Sequence, residues 1–197
     1  MIGYIQRTIH LPLVLGSDGS GKVTWNIDAS YAAHPDMRSH TGATCTLGHG
    51  SILSLSSKQK ITTRSSTEAE LVGVDDAMTF ILWMKYFLRE QARTVPENSK
   101  LKSLGKTIIV EQDNTSSILL QRNGKRSSTK RTKHINIRYF FITDKLRSGE
   151  ITDVVHKGTA DMEADTLTKG LQGSLFLKHQ TTIMGLTGIN EHSFSEA

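Results

Sequence analysis

Apolar residues recur along this chain with two periods, and the switches between them mark its elements. β-branched and aromatic residues crowd positions 23–28 (Val23-Thr24-Trp25-Asn26-Ile27-Asp28) and 107–113 (Thr107-Ile108-Ile109-Val110-Glu111-Gln112-Asp113), and both runs predict strands. Residues 41–47 and 51–57 flank Gly48-His49-Gly50, the pattern of a hairpin, and 58–64 is a polar connection. From Thr67 the spacing turns helical: Leu71, Val74, Met78, Ile81, Leu82, Met84, Tyr86 and Leu88 predict one long helix, with Pro96 ending the region. Short helices are expected over 114–120 and over 135–147, the latter stopped by Gly149. A last strand follows over 151–156, then helices over 161–171 and 175–184 and a polar tail after Gly188. Residues 1–15 form an apolar-mixed lead, and Gly16-Ser17-Asp18-Gly19-Ser20-Gly21 a turn-rich linker. Strands first, then helix and strand in alternation, give an α/β fold class with a mixed central sheet of about five strands flanked by helices.

Composition narrows the picture modestly. A length of 197 residues fits one main domain with a small appendage, and 37% hydrophobic content is enough for a core. The net charge of +5 and pI near 9.4 permit a polyanionic partner without requiring one. A single cysteine, Cys45, excludes a disulfide framework and a multi-cysteine zinc site, and reads as a small residue in a strand. No apolar run approaches the roughly 20 residues of a membrane span, and Met1-Ile2-Gly3-Tyr4 lacks the start of a secretory signal. A soluble intracellular protein is expected.

The chemistry lies in four carboxylates on four segments. Asp28 and Asp113 end predicted strands; Glu70 and Asp165 lie near the starts of predicted helices. Strand ends and helix starts converge on one edge of a sheet, and acids gathered there repel one another unless cations hold them. Three of the four have neighbours that compete for their place. Glu68 lies two residues before Glu70, and Thr67-Glu68-Ala69-Glu70 also reads as a capping box. Glu111 shares a strand face with Asp113, and Asp161 and Glu163 precede Asp165. Asp75-Asp76, by contrast, falls inside the long helical pattern, and Gly48-His49-Gly50 has no second histidine at metal spacing.

Taken in order, Asp28-Ala29-Ser30-Tyr31-Ala32, Pro35-Asp36-Met37-Arg38-Ser39, Ser65-Ser66-Thr67-Glu68-Ala69-Glu70, Asp113-Asn114-Thr115-Ser116-Ser117-Ile118, Arg131-Thr132-Lys133-His134-Ile135 and Ala164-Asp165-Thr166-Leu167-Thr168-Lys169 resemble the ribonuclease H domain of copia-type LTR retrotransposons. The resemblance runs from about residue 4 to about residue 186. It implies a ribonuclease H-like fold over 16–172, preceded by the tail of a reverse transcriptase or connection segment over 1–15. A C-terminal helix and polar tail follow over 173–197. It also implies a hydrolase that cuts the RNA strand of an RNA–DNA hybrid, with two Mg2+ ions, or Mn2+ in their place, on Asp28, Glu70, Asp113 and Asp165. The choice of Glu70 follows the family's Glu-Leu register with an alanine seven positions on, here Ala77; Asp113 follows from Asp-Asn and Asp165 from Ala-Asp before Leu-Thr-Lys. His156, in His156-Lys157-Gly158, is similar to the retroviral histidine that assists proton transfer or product release. Its spacing to Asp165 is one residue shorter than in those enzymes, and a plain loop histidine is the alternative. The implied partners are the hybrid and the upstream reverse transcriptase domain, with no membrane. The implied location is a cytoplasmic virus-like particle, with a nuclear stage as the alternative. A catalytically silent nucleic-acid-binding module from a decayed element is the rival function. An integrase-like strand transferase would end in a helical Glu and carry a His/Cys zinc module, for which one cysteine is inadequate.

Substrate contacts are expected from a basic stretch. Between Asn114 and Thr143 there is no acidic residue, while Arg122, Lys125, Arg126, Lys130, Arg131, Lys133 and Arg138 fall there around a loop at Gly124 and Ser127-Ser128-Thr129. Such a block tracks phosphates with little regard to base sequence; an ordinary solvated loop is the alternative. Arg38 is a second phosphate candidate. Ser30 and Asn114, beside the carboxylates, are candidates for hydrogen bonds to ribose hydroxyls.

Overall fold

The computed structural model describes residues 2–97, 99–124 and 136–187. In chain order the elements are α1 (Ile2–Arg7), β1 (Gly16–Ser17), β2 (Lys22–Ser30), β3 (His40–Thr46), β4 (Gly48–His49), β5 (Leu53–Lys58), α2 (Ser66–Thr94), β6 (Thr107–Gln112), α3 (Thr115–Asn123), α4 (Asn136–Arg147), β7 (Asp153–His156), α5 (Asp165–Thr168) and α6 (Gly173–Ile183). Five strands form one mixed sheet in the order β5-β3-β2-β6-β7. β2 runs antiparallel to β3, which runs antiparallel to β5; on its other side β2 is parallel to β6, and β6 to β7. The two antiparallel steps need only tight connections, whereas the parallel steps require crossovers, which α2 and then α3 with α4 provide.

Alternation along β2 sorts its side chains. Val23, Trp25 and Ile27 are fully buried with Leu71, Val74, Met78 and Ile81 of α2, joined by Ile108 and Val110 of β6. Asn26 and Asp28 fall on the other side of the strand. Cys45 of β3 lies in the same core, where burial pushes its thiol up to about 12, as befits a packing residue. α2 begins where Ser65 accepts the N–H of Glu68 at 3.1 Å, a serine N-cap.

Four sequence expectations need correction. The linker at 16–21 is not all turn: Gly16–Ser17 pairs antiparallel with Gly48–His49, which therefore form a small two-stranded ladder rather than a plain hairpin tip. Tyr86 belongs to the helical period but is 48% exposed on α2. The helix cap lies two residues earlier, at Ser65 rather than Thr67, and the Glu68 carboxylate accepts the Arg64 N–H in place of the N–H of the capping residue. The helix expected over 161–171 shrinks to a 3-10 turn at Thr159–Asp161 and the single turn of α5. Met162, fully buried, has extended backbone (φ −82°, ψ 92°) and interrupts the helix before Ala164 returns to helical angles.

The C-terminal helix holds the N-terminal segment. Tyr4 packs edge-on against Phe176 with ring centroids 5.9 Å apart, and the Val14 N–H donates to the Met184 carbonyl at 2.8 Å. Among the described residues no helix is long and apolar enough to cross a membrane.

Two glycines set how closely helices approach the sheet. A Cβ at Gly42 of β3 would stand 2.7 Å from the Ala164 carbonyl oxygen and 2.7 Å from Thr168 Cγ2, so α5 lies directly on the strand. A Cβ at Gly73 of α2 would meet nothing closer than Ala29 Cβ at 3.5 Å, ordinary contact. Gly42→Ala is therefore expected to lower stability by about 1–3 kcal/mol through overpacking. Gly73→Ala should raise it by about 0.5–1 kcal/mol through helix propensity. Chemical denaturation of the two variants checks the contrast, and equal effects would refute it.

Candidate active site

The ends of β2 and β6 and the first turns of α2 and α5 meet at one edge of the sheet. Asp28 stands near the end of β2, opposite Gly42 across the β2–β3 ladder. Asp113 follows the last residue of β6, and its Oδ2 accepts the Thr159 hydroxyl at 2.9 Å. Glu70 comes from the first turns of α2, and its Oε1 accepts the Ala29 N–H at 3.3 Å. One carboxylate oxygen from each of Asp28, Glu70 and Asp113 lies within 4.8 Å of the others. Among the described residues this is the only group of three or more His, Cys, Asp or Glu so placed.

Asp165 is buried at the start of α5, beside this triad rather than within it. Lys169 links the two: its Nζ is 2.8 Å from Asp165 Oδ1 and 3.5 Å from Asp28 Oδ2. The Thr168 hydroxyl donates to Asp28 Oδ2. Thr168 and Lys169 thus belong to the site by contact. They were visible in the Leu-Thr-Lys motif, but only as its context.

The competing acids are engaged elsewhere. Glu68 accepts the Arg64 N–H at 2.7 Å and serves the helix start. Glu111 and Glu163 share the Lys157 ammonium, at 3.0 and 2.8 Å, and Asn26 Oδ1 accepts from the same nitrogen at 2.7 Å. Burial acts to lower the Lys157 pKa, but these carboxylates hold it above its ordinary value. Asp161 is ion-paired with Lys178 on the surface. Asp75 and Asp76 lie within α2.

The expected substrate residues fare unequally. Ser30 ends β2, half-buried. Asn114 caps α3, its Oδ1 accepting the Ser117 N–H at 3.0 Å, which leaves its amide N–H groups outside that bond. Arg38 lies 3.5 Å from Asp36, which also holds Lys58 at 2.6 Å. Arg122 is clamped by Asp153 through two bonds of 3.1 and 2.9 Å, so it is not a free cation; the acid comes from β7, remote in sequence. His156 is exposed at the end of β7, level with Gln112, and is not part of the acidic group. Lys125, Arg126, Lys130, Arg131, Lys133 and His134 lie outside the described residues.

Electrostatics mark the triad as a place of excess negative charge. Burial, the Asp28 charge and the Asp113 charge together push the Glu70 carboxyl up to about 9. Burial raises Asp28 as well, with Asp165 adding to it and the Thr168 hydroxyl opposing. Lys169 is held above its ordinary value by Asp165 and Asp28, against the effect of burial. Hard carboxylate oxygens at this spacing are compatible with a divalent cation, which would relieve the repulsion that Lys169 only partly offsets.

A mixed five-stranded sheet in this order, flanked by helices and carrying acids at the ends of its two central strands, is a ribonuclease H-like fold. The chain is 35% identical over 163 residues to the retrovirus-related Pol polyprotein from transposon RE1 of Arabidopsis thaliana, a match covering 82% of this chain and 10% of that one. It is 34% identical over 143 residues to the corresponding polyprotein from transposon TNT 1-94 of Nicotiana tabacum, covering 72% and 10%. Its homologues are thus the Pol polyproteins of copia-type retrotransposons, and it spans about a tenth of the length of these curated relatives. Among solved structures, LC11-RNase H1 isolated from compost is similar with a TM-score of 0.49 and 14% identity, covering 75% of this chain and 92% of that one. No protein-family profile matches the sequence.

Glu70 gives this site a signature in stability. Its carboxyl titrates near 9 in the folded chain against an ordinary 4.5. Between these values the unfolded chain has lost the proton and the folded chain keeps it, so stability falls as pH rises through that window. Glu70→Gln removes the titrating group, although it offers one acceptor oxygen to the two donors, the Ala29 N–H and the Gln112 amide. The test is therefore the pH dependence: in EDTA the unsubstituted chain should lose several degrees of melting temperature between pH 4 and pH 8 that the variant keeps, at about 2–4 °C for each kcal/mol. Parallel melting curves across the whole range would contradict the assignment.

Proposed function

We propose that this chain is a divalent-metal-dependent ribonuclease H that hydrolyses the RNA strand of RNA–DNA hybrids during reverse transcription of a copia-type element. The observation that carries the reading is the gathering of Asp28, Glu70 and Asp113 within 4.8 Å, with Asp165 alongside, in a homologue of retrotransposon Pol polyproteins. These four carboxylates would hold two Mg2+ ions, with Mn2+ as the alternative. Bound there, the ions would lower the pKa of an attacking water and offset charge on the leaving oxygen.

The chain's own residues supply placement. The Thr168 hydroxyl and Lys169 orient Asp28, and the Ala29 N–H orients Glu70. Ser30 is small and half-buried at the end of β2, which leaves room for a nucleic-acid backbone, whereas Ala29 packs inward toward Gly73. The Asn114 amide and Ser30 hydroxyl are donors for ribose hydroxyls, the groups that distinguish RNA from DNA. His156, exposed at the strand end, would serve as the proton carrier of the retroviral pattern, a plain loop histidine being the alternative. Because Arg122 is already paired with Asp153, phosphate contacts fall chiefly to Lys125, Arg126, Lys130, Arg131 and Lys133, with Arg38 in a secondary role. In the full polyprotein the segment before residue 16 would join this domain to the reverse transcriptase, inside a cytoplasmic virus-like particle.

A hybrid-cleavage assay with and without EDTA tests the reading. The RNA strand should be cut only with divalent metal, and Asp28→Asn or Asp113→Asn should abolish cutting while hybrid binding stays intact or tightens. Binding without cleavage by the unsubstituted chain would favour the silent module, and equal turnover by these variants in Mg2+ would exclude the two-metal reading.

Neutralising Arg126, Lys130 and Arg131 should weaken binding to all hybrid sequences alike. It should also flatten the plot of log affinity against log salt by roughly one unit per lost contact. An unchanged salt titration would make the segment a solvated loop.

A further inference from the structure

Behind the acidic group lies a chain of buried amides. Gln112 is the last residue of β6 and follows Ile108 and Val110 on the inward face of the strand, fully buried. Its Nε2 donates to Glu70 Oε2 at 3.2 Å and to the Glu70 backbone carbonyl at 3.3 Å. Its Oε1 accepts from the Gln121 side-chain amide and from the Ser117 hydroxyl at 3.4 Å. Gln121 Nε2 also donates to Ser117 Oγ at 2.8 Å, and the Gln121 backbone carbonyl accepts the Thr143 hydroxyl at 2.7 Å. Gln112, Ser117, Gln121 and Thr143 are at most 1% exposed.

This arrangement gives the Gln112 amide one orientation. A flip would turn its oxygen toward the Glu70 backbone carbonyl, an acceptor with no proton to offer, and the 3.3 Å bond would be lost. Glu70 is thereby gripped by both oxygens, Oε1 by the Ala29 N–H and Oε2 by Gln112. Packing alone does not call for glutamine here: an apolar residue would extend the row of Ile108 and Val110, whereas a buried amide costs free energy unless both its ends are satisfied. The donor end is spent on Glu70, on both its carboxylate and its backbone.

We infer that Gln112, backed by Ser117 and Gln121, is a positioning residue that fixes the plane and depth of the Glu70 carboxylate for metal binding. The inference rests on the proposed reading of the acidic group as a divalent-metal site. Partners that orient a metal ligand typically change metal affinity by about 10–100-fold when removed. Gln112 does so through Glu70, without itself touching metal or substrate.

The test is calorimetric titration of Mn2+ into the unsubstituted chain, Gln112→Met and Ser117→Ala, together with melting temperatures in EDTA. Gln112→Met should bind Mn2+ about 10–100-fold more weakly and melt in EDTA below the unsubstituted chain but still cooperatively, because it strips partners from the Gln121 amide and the Ser117 hydroxyl. Ser117→Ala, which frees one donor from the oxygen end of Gln112, should weaken binding in the same direction by less, and it carries the test if Gln112→Met does not fold. The double variant should bind no worse than Gln112→Met, because the two act through one amide. Mn2+ affinities within twofold of the unsubstituted chain in the folded variants would overturn the inference while leaving the metal reading intact. A folded, unsubstituted chain that takes up no Mn2+ would overturn the metal reading, and this inference with it.

Discussion

β2 is hydrogen-bonded on both sides, antiparallel to β3 and parallel to β6, and the site hangs from that double pairing. The antiparallel register sets Asp28 opposite Gly42, and the missing side chain at Gly42 lets α5 bring Asp165, Thr168 and Lys169 down beside it. The parallel register makes β2 and β6 point the same way, so their carboxylates emerge at the same edge. An antiparallel β6 would put Asp113 at the opposite end of the sheet from Asp28. The crossover that parallel pairing requires is α2, and its N-terminus brings in Glu70.

What the pairing assembles is electrostatically unfavourable. Three carboxylates share a space of a few ångströms, partly out of water, and two of them are raised in pKa. The rest of the fold offsets this with donors: the Ala29 N–H, the Thr168 and Thr159 hydroxyls, the Gln112 amide and the Lys169 ammonium. Only Lys169 among these carries charge, and it is half-exposed and divided between two acids. A residual demand for cations is therefore built into the geometry, which is the physical basis for reading the site as metal-binding. The neighbouring acids Glu111 and Glu163 show the alternative outcome. A well-placed lysine, Lys157, answers them directly, and they form a structural ion pair.

The sequence by itself determined the five strands of the main sheet and the places of the longer helices, while α1, β1 and β4 gave no periodic signal. Hydrophobic period is a local property, and the strand at Val23–Asp28, the helix after Ser65 and the strand before Asp113 follow from it. It also determined which acids to consider, since Asp28, Glu70, Asp113 and Asp165 sit at element ends where side chains can converge. Tertiary structure alone decided among near neighbours. Glu68 and Glu70 are two residues apart on one helix, and only the cap at Ser65 fixes which one turns toward the strand ends. Glu111 and Asp113 are separated by where β6 stops pairing, and Arg122 lost its freedom to an acid 31 residues away. The helix expected over 161–171 is broken at Met162, whose backbone is extended, ahead of the single turn of α5. Gln112 and Lys169 gave no signal of their role in the sequence. A polar residue shows its purpose only through what lies across from it, and that partner is chosen by packing between segments distant in the chain.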